Sequence, residues 1–112
     1  MERQKLITNV QVINNKIAIA KGSSYAIYRR EDLAKIADTL LFFNDIELSF
    51  VIAKTSNNIT SVSGRSIGKK SIANILSKLG GGGDKMGGAA QFENVPISKV
   101  AEKLNQAIKE ED

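Results

Sequence analysis

Four consecutive glycines, Gly80–Gly83, stand between a helical apolar repeat and a strand-like segment, and two more follow at Gly87 and Gly88 in GGGGDKMGGAA. Glycine loses more backbone freedom on ordering than any other residue, so such a run inside folded sequence is costly. A slack linker is normally serine-rich or flanked by disordered sequence. Here Ile72, Ile75, Leu76 and Leu79 precede the run at helical spacing, and Ala89–Phe92 follows as a short strand. Two readings stay open: a plain turn, or a loop whose bare N–H groups approach a ligand and cradle an anion. The run is not a GxxxxGK[ST] phosphate loop, because that ending is missing. Nor is it a dinucleotide fingerprint, which follows a strand rather than a helix.

The remaining pattern places these glycines in an α/β domain. Val10–Ala20 alternates apolar and polar residues around Asn14-Asn15, which predicts a hairpin or two short strands. Leu33, Ile36, Ala37, Leu40 and Leu41 predict an amphipathic helix over Arg30–Phe42, and a turn at Asn44-Asp45 leads into a buried strand over Glu47–Lys54. After a turn at Ser56–Asn58, Ile59–Arg65 predicts a partner strand, followed by a helix over Lys70–Leu79. Beyond Ala89–Phe92, Pro96 precedes a last helix whose stripe is Val100, Ala101, Leu104 and Ile108. The order β-β-α-β-β-α-β-α implies a mixed β-sheet of about five strands with three helices packed on it.

Composition removes several kinds of chemistry. The 112 residues include no histidine and no cysteine, which excludes Ser-His-Asp and Cys-His catalysis, disulfides and thiolate or imidazole metal sites. Catalysis by this chain would have to depend on carboxylates, lysine or tyrosine. No apolar run exceeds four residues, too short for a transmembrane helix, and MERQKLITN lacks the apolar core of a signal peptide. The net charge of +4 suits a phosphate-bearing partner and equally an ordinary soluble surface.

A second motif stands upstream of the glycines. Ser63-Gly64-Arg65-Ser66 ends a predicted strand, with Lys69 and Lys70 at the start of the next helix. An arginine among hydroxyl residues can hold a phosphate in bidentate fashion, although a lone arginine at a strand end is also common surface chemistry. A helix of about ten residues, roughly 15 Å long, separates it from the glycines. The two motifs converge only if their strands lie side by side.

Together, SFVIAKTSNNITSVSGRSIGKKSIANILSKLGGGGDKMGGAAQF resembles the DHH-associated substrate-binding domain that follows an Asp-His-His catalytic domain in a phosphoesterase superfamily. The resemblance runs from about Lys16 to the C-terminus and is strongest to the C-terminal domain of membrane-bound cyclic-di-AMP phosphodiesterases. Their Ile-Ala-Lys strand, Ser-x-Arg-Ser strand end, helix, Gly-Gly-Gly-Gly-His loop and Ala-Ala segment are matched almost without gaps. It implies one substrate-binding domain over residues 1–112, a piece of a larger phosphoesterase whose catalytic DHH domain is absent from this chain. It implies that Ser63, Arg65 and Ser66 meet substrate phosphate and that Gly81, Gly82 and Gly83 close over the nucleotide, with Asp84 at the end of that loop. The substrate would be cyclic di-AMP or a short oligonucleotide, and this piece alone would hydrolyse nothing. The cofactor, manganese, would belong to the catalytic domain, with none held by this chain. The partners implied are the nucleotide substrate, the upstream DHH domain and a second copy in a homodimer, in a cytoplasmic setting with the parent anchored to the membrane and no membrane contact by this domain.

Two positions depart from that pattern. Asp84 replaces the family's histidine and cannot donate a hydrogen bond when ionised; near a phosphate it would repel by ~1–4 kcal/mol, with Lys85 placed to offset it. Gly87 stands where the nearest family members carry asparagine. An alternative comes from Asp84-Lys85-Met86 with Gln91, which loosely resembles the C-terminal domain of alanyl-tRNA synthetases and implies a non-catalytic RNA-binding domain.

Overall fold

The computed structural model describes residues 7–43 and 45–111. Strands β1 (Ile7–Ile13) and β2 (Ile17–Gly22) form the N-terminal hairpin. Its turn holds Asn14 and Asn15 at φ 55° and 61°, and the Lys16 N–H donates to the Ile13 carbonyl at 3.0 Å. Two successive positive φ values make a type I′ turn, whose twist matches paired strands, and asparagine tolerates that backbone region. Helix α1 (Arg30–Leu40) then carries the chain to β3 (Leu48–Ser56), which runs parallel to β2. Parallel neighbours need such a crossover. β3 turns directly into β4 (Ile59–Ser66), its antiparallel partner. Helix α2 (Ile72–Ser77), β5 (Gly82–Gly83), β6 (Gly87–Glu93) and α3 (Ile97–Lys109) complete the order.

The strands form one mixed sheet in the order β1-β2-β3-β4-β6-β5. The α/β class and the three helices are those the sequence predicts, and among the described residues the strands number six where about five are expected. The additional one, β5, is built from the glycine run itself. No alternation can mark a strand of two glycines; it exists because Gly82 pairs with Ala89 and Gly83 with Gly88. Helix α2 is shorter than the predicted Lys70–Leu79 because the Ser71 side chain caps it, accepting the Asn74 N–H at 3.2 Å. Helix α1 stops at Leu40, and β6 begins at Gly87, two residues before the predicted Ala89. In the predicted Asn44-Asp45 turn, Asp45 takes φ 68°, and Asn44 lies outside the described residues.

Alternation along β3 divides the interior. Leu48, Phe50 and Ile52 join Val62, Ile72, Ile75, Leu76 and the α3 stripe on one face. Val51 and Ala53 join Leu33, Ala37 and Leu40 of α1 on the other. Helices α2 and α3 cover the first face, whereas α1 packs over β3 and β4. Beyond β4, the α1 side of β6 and β5 stays open, with Ala89 and Gln91 exposed. This bare shelf is where the two sequence motifs meet.

Candidate functional site

Strand β6 inserts between β4 and β5, and that insertion decides the question left by the intervening helix. Ser63, Ala89 and Gly82 form one cross-strand row, and Gly64, Gly88 and Gly83 form the next. Arg65 stands opposite Gly87. An open cavity of about 880 Å³ lies over these rows. Its floor is backbone, from Gly82, Gly83, Gly87, Gly88 and Ala89; Ser63 and Arg65 form one wall, and Arg30, Glu31 and Ala34 of α1 the other.

Arg65 is the best-oriented cation of the cavity. Its Nε donates to Asp38 Oδ1 at 2.8 Å and its Nη1 to the Gly64 carbonyl at 2.8 Å. Nη2 has no hydrogen-bond partner among the described residues. The Asp38 side chain is 57% exposed, so the pair contributes under about 1 kcal/mol to stability and mainly orients the guanidinium. Gly87 makes room for this pose: a Cβ there would stand 2.9 Å from Arg65 Nη1. Ser63, 6% exposed as a residue, also lines the cavity, and its hydroxyl has no hydrogen-bond partner among the described residues.

Arg30 is a site residue that the motifs do not mark. Residues 30, 34 and 38 lie on one stripe of α1 facing the shelf, and Ala34 keeps the middle of that wall short. The signal was the Arg29-Arg30 pair at the helix start. Arg29 is held 3.2 Å from Asp32 and 3.8 Å from Glu31, whereas Arg30 has no ion pair among the described residues. Only the packing of α1 shows which of the two faces the cavity.

The other candidates divide. Ser66 is buried on the opposite side of β4 and does not line the cavity. Its hydroxyl donates to the Lys70 carbonyl at 2.7 Å and accepts the Gly68 N–H at 2.9 Å, closing the turn before α2. Gly81 also stays out of the cavity: its N–H donates to the Leu76 carbonyl at 2.9 Å, and a Cβ would collide with the Ala89 carbonyl. Gly82 and Gly83 reach the cavity, and a Cβ on Gly82 would meet nothing within 4 Å. Asp84 borders the cavity with its carboxylate held by the backbone. Oδ1 accepts the Met86 and Gly87 N–H groups, each at 2.9 Å, an Asx turn that closes the β5–β6 hairpin. No ion pair joins Lys85 to Asp84 among the described residues.

The donor set does not fit a metal ion. The cavity's carboxylates are Glu31 and Asp84, they share it with two arginines, and no three acidic groups converge among the described residues. Two guanidinium groups, a hydroxyl and bare backbone suit an anion instead. Among the described residues no helix is long and apolar enough to cross a membrane.

Comparison with known proteins shows which family the chain belongs to. The chain is 35% identical over 108 residues to a cyclic-di-AMP phosphodiesterase, GdpP, of Geobacillus thermodenitrificans, covering 96% of this chain and 16% of that protein. It is 31% identical over 107 residues to the cyclic-di-AMP phosphodiesterase PdeA of Listeria monocytogenes, again 96% of this chain and 16% of the relative. The chain thus spans about a sixth of the length of these curated relatives. Two solved structures share the fold. An exopolyphosphatase-related protein from Bacteroides fragilis superposes with TM-score 0.71 at 16% identity, over 91% of this chain and 31% of that one. The pGpG-specific phosphodiesterase PggH from Vibrio cholerae gives 0.66 at 15% identity, over 92% and 36%. The family model described as the DHHA1 domain matches residues 9–111, nearly everything from the first hairpin to the end of α3, and the chain belongs to that family.

Proposed function

We propose that this domain is the substrate-binding module of a DHH-family phosphodiesterase that cleaves cyclic di-AMP or short oligonucleotides. The observation that carries the proposal is the convergence of Arg65, Ser63 and Arg30 on a floor of bare glycine backbone. Arg65 Nη2 and the Ser63 hydroxyl donate to a phosphate oxygen, and Arg30 adds charge from the α1 wall. The glycine rows admit the ligand close to the sheet, because no side chain stands above Gly82, Gly83 or Gly88. The bond-breaking step and its manganese ions belong to an upstream DHH domain, since no residue of this cavity suits either task. That domain would close over the shelf from the open side.

Calorimetric titration of the chain with cyclic di-AMP and its linear product tests this. Charged hydrogen bonds contribute about 1.5–3 kcal/mol, so Arg65→Ala should weaken binding by roughly ten- to hundredfold. Arg65→Lys should recover only part of the loss, because an ammonium lacks the planar fork. Wild-type affinity in Arg65→Ala would remove the arginine from the site. Preference for structured RNA over both dinucleotides, with a steep salt dependence, would replace this reading by an RNA-binding one.

A further inference from the structure

The cavity that suits an anion carries no excess of positive charge. Arg30 and Arg65 line it, but so do Glu31 and Asp84. With Asp38 on Arg65 Nε, three carboxylates stand against two guanidinium groups. Long-range attraction therefore does not account for anion binding here, and short, directed hydrogen bonds have to. Such bonds depend on where the guanidinium points. Of its five N–H donors, Nε–H goes to Asp38 Oδ1 and one Nη1 hydrogen to the Gly64 carbonyl, both at 2.8 Å. Bonds at two of the three nitrogens fix the plane of the group and leave Nη2 for a ligand.

Asp38 does little for the fold. It stands in the last turn of α1, where the helix dipole disfavours a carboxylate, and aspartate is a poorer helix former than alanine. Its side chain is 57% exposed. A residue that opposes its own helix in this way points to a role in the site. We infer that Asp38 is a positioning residue for phosphate: its carboxylate oxygen holds Arg65 in the binding pose, and this outweighs the repulsion that its charge exerts on the anion. Ordering a mobile arginine costs up to about tenfold in affinity. An exposed, salt-screened carboxylate with a guanidinium between it and the anion repels by only about twofold. The inference rests on the phosphate role of Arg65 proposed above, and adds that α1 supplies the part that makes the arginine effective.

The sign of one substitution tests it, because charge alone and positioning predict opposite results. Asp38→Ala removes a negative charge beside an anion site, yet should weaken cyclic di-AMP binding about three- to tenfold in calorimetry on the 112-residue chain. Asp38→Asn keeps an oxygen that accepts the Nε–H and loses the charge, so it should bind at least as tightly as the wild type. Both variants should melt within a few degrees of the wild type, since the helix gains from either change. On the nitrogen-15-labelled chain, the Arg65 Nε–H resonance should be protected from water exchange in the wild type and in Asp38→Asn, and lose that protection in Asp38→Ala. Equal or tighter binding by Asp38→Ala overturns the inference, as does an equal loss in Asp38→Asn. If Arg65→Ala also binds normally, the phosphate reading fails as well; if Arg65→Ala weakens binding and Asp38→Ala does not, only the positioning role fails.

Discussion

Gly81 and Gly82 are neighbours in one glycine run, yet alanine should act on them in opposite directions. Neither has a positive φ, so backbone strain does not distinguish them. A Cβ at Gly81 meets the Ala89 carbonyl and Ala90, and the obstacle is backbone that cannot swing aside. Overpacking of this kind costs about 1–3 kcal/mol and here also disrupts the β5–β6 pairing. A Cβ at Gly82 meets nothing within 4 Å. Replacing glycine where alanine fits restricts the unfolded chain and stabilises by about 0.4–1 kcal/mol. For a domain of this size 1 kcal/mol corresponds to about 4 °C in Tm, so Gly82→Ala should melt about 2–4 °C higher and Gly81→Ala about 4–12 °C lower. The Gly82 methyl projects into the Arg65 cavity, so the more stable variant should bind cyclic di-AMP about tenfold more weakly, a loss of about 1.4 kcal/mol. Thermal melts followed by circular dichroism, with calorimetry on the same samples, read both effects. Equal melting of the two variants would refute the packing argument. Undiminished binding by Gly82→Ala would show that the ligand does not touch the shelf.

Other outcomes follow from single contacts. Asp84→Ala removes the acceptor for two backbone N–H groups and should lower stability by about 1 kcal/mol, whereas Asp84→Asn keeps that oxygen and should melt like the wild type. Gly87→Ala places a Cβ 2.9 Å from Arg65 Nη1, the end of a flexible side chain, so the fold should tolerate it while phosphate binding falls with the displaced guanidinium. Tyr28 is buried, its hydroxyl has no partner among the described residues, and burial raises its pKa above the ordinary 10.0. The folded state therefore holds the phenolic proton more tightly than the unfolded one. Stability should be flat below about pH 10 and fall as pH rises from there through the raised folded value. Tyr28→Phe should remove that alkaline component and, by deleting an unpaired hydroxyl, equal or exceed wild-type stability at pH 7 by up to about 1 kcal/mol. Melts between pH 7 and 11 compare the two; an unchanged alkaline slope in Tyr28→Phe would count against Tyr28 as its source.

Local chemistry was legible along the chain. The Asn14-Asn15 hairpin, the apolar stripes of α1 and α3, the β3–β4 pair and the Ser63–Ser66 motif all follow from short-range periodicity, turn preference and residue type. Such signals depend on neighbours within about a turn or a strand, so a linear reading captures them. Three features depended on long-range pairing and were not visible there. Strand β5 has no side chains to alternate and exists only against β6. Arg29 and Arg30 are indistinguishable by type, and the seating of α1 on β3 and β4 decides which one lines the cavity. Of the two serines flanking Gly64-Arg65, the strand pleat turns Ser63 toward the shelf, and Ser66 into the turn before α2. The sequence by itself determined the α/β class, the helices and the presence of a phosphate-type arginine near a glycine run. Only the tertiary structure decided that these form one site, because the row Ser63–Ala89–Gly82 is made by sheet order, and sheet order is a property of distant pairings that no local window contains.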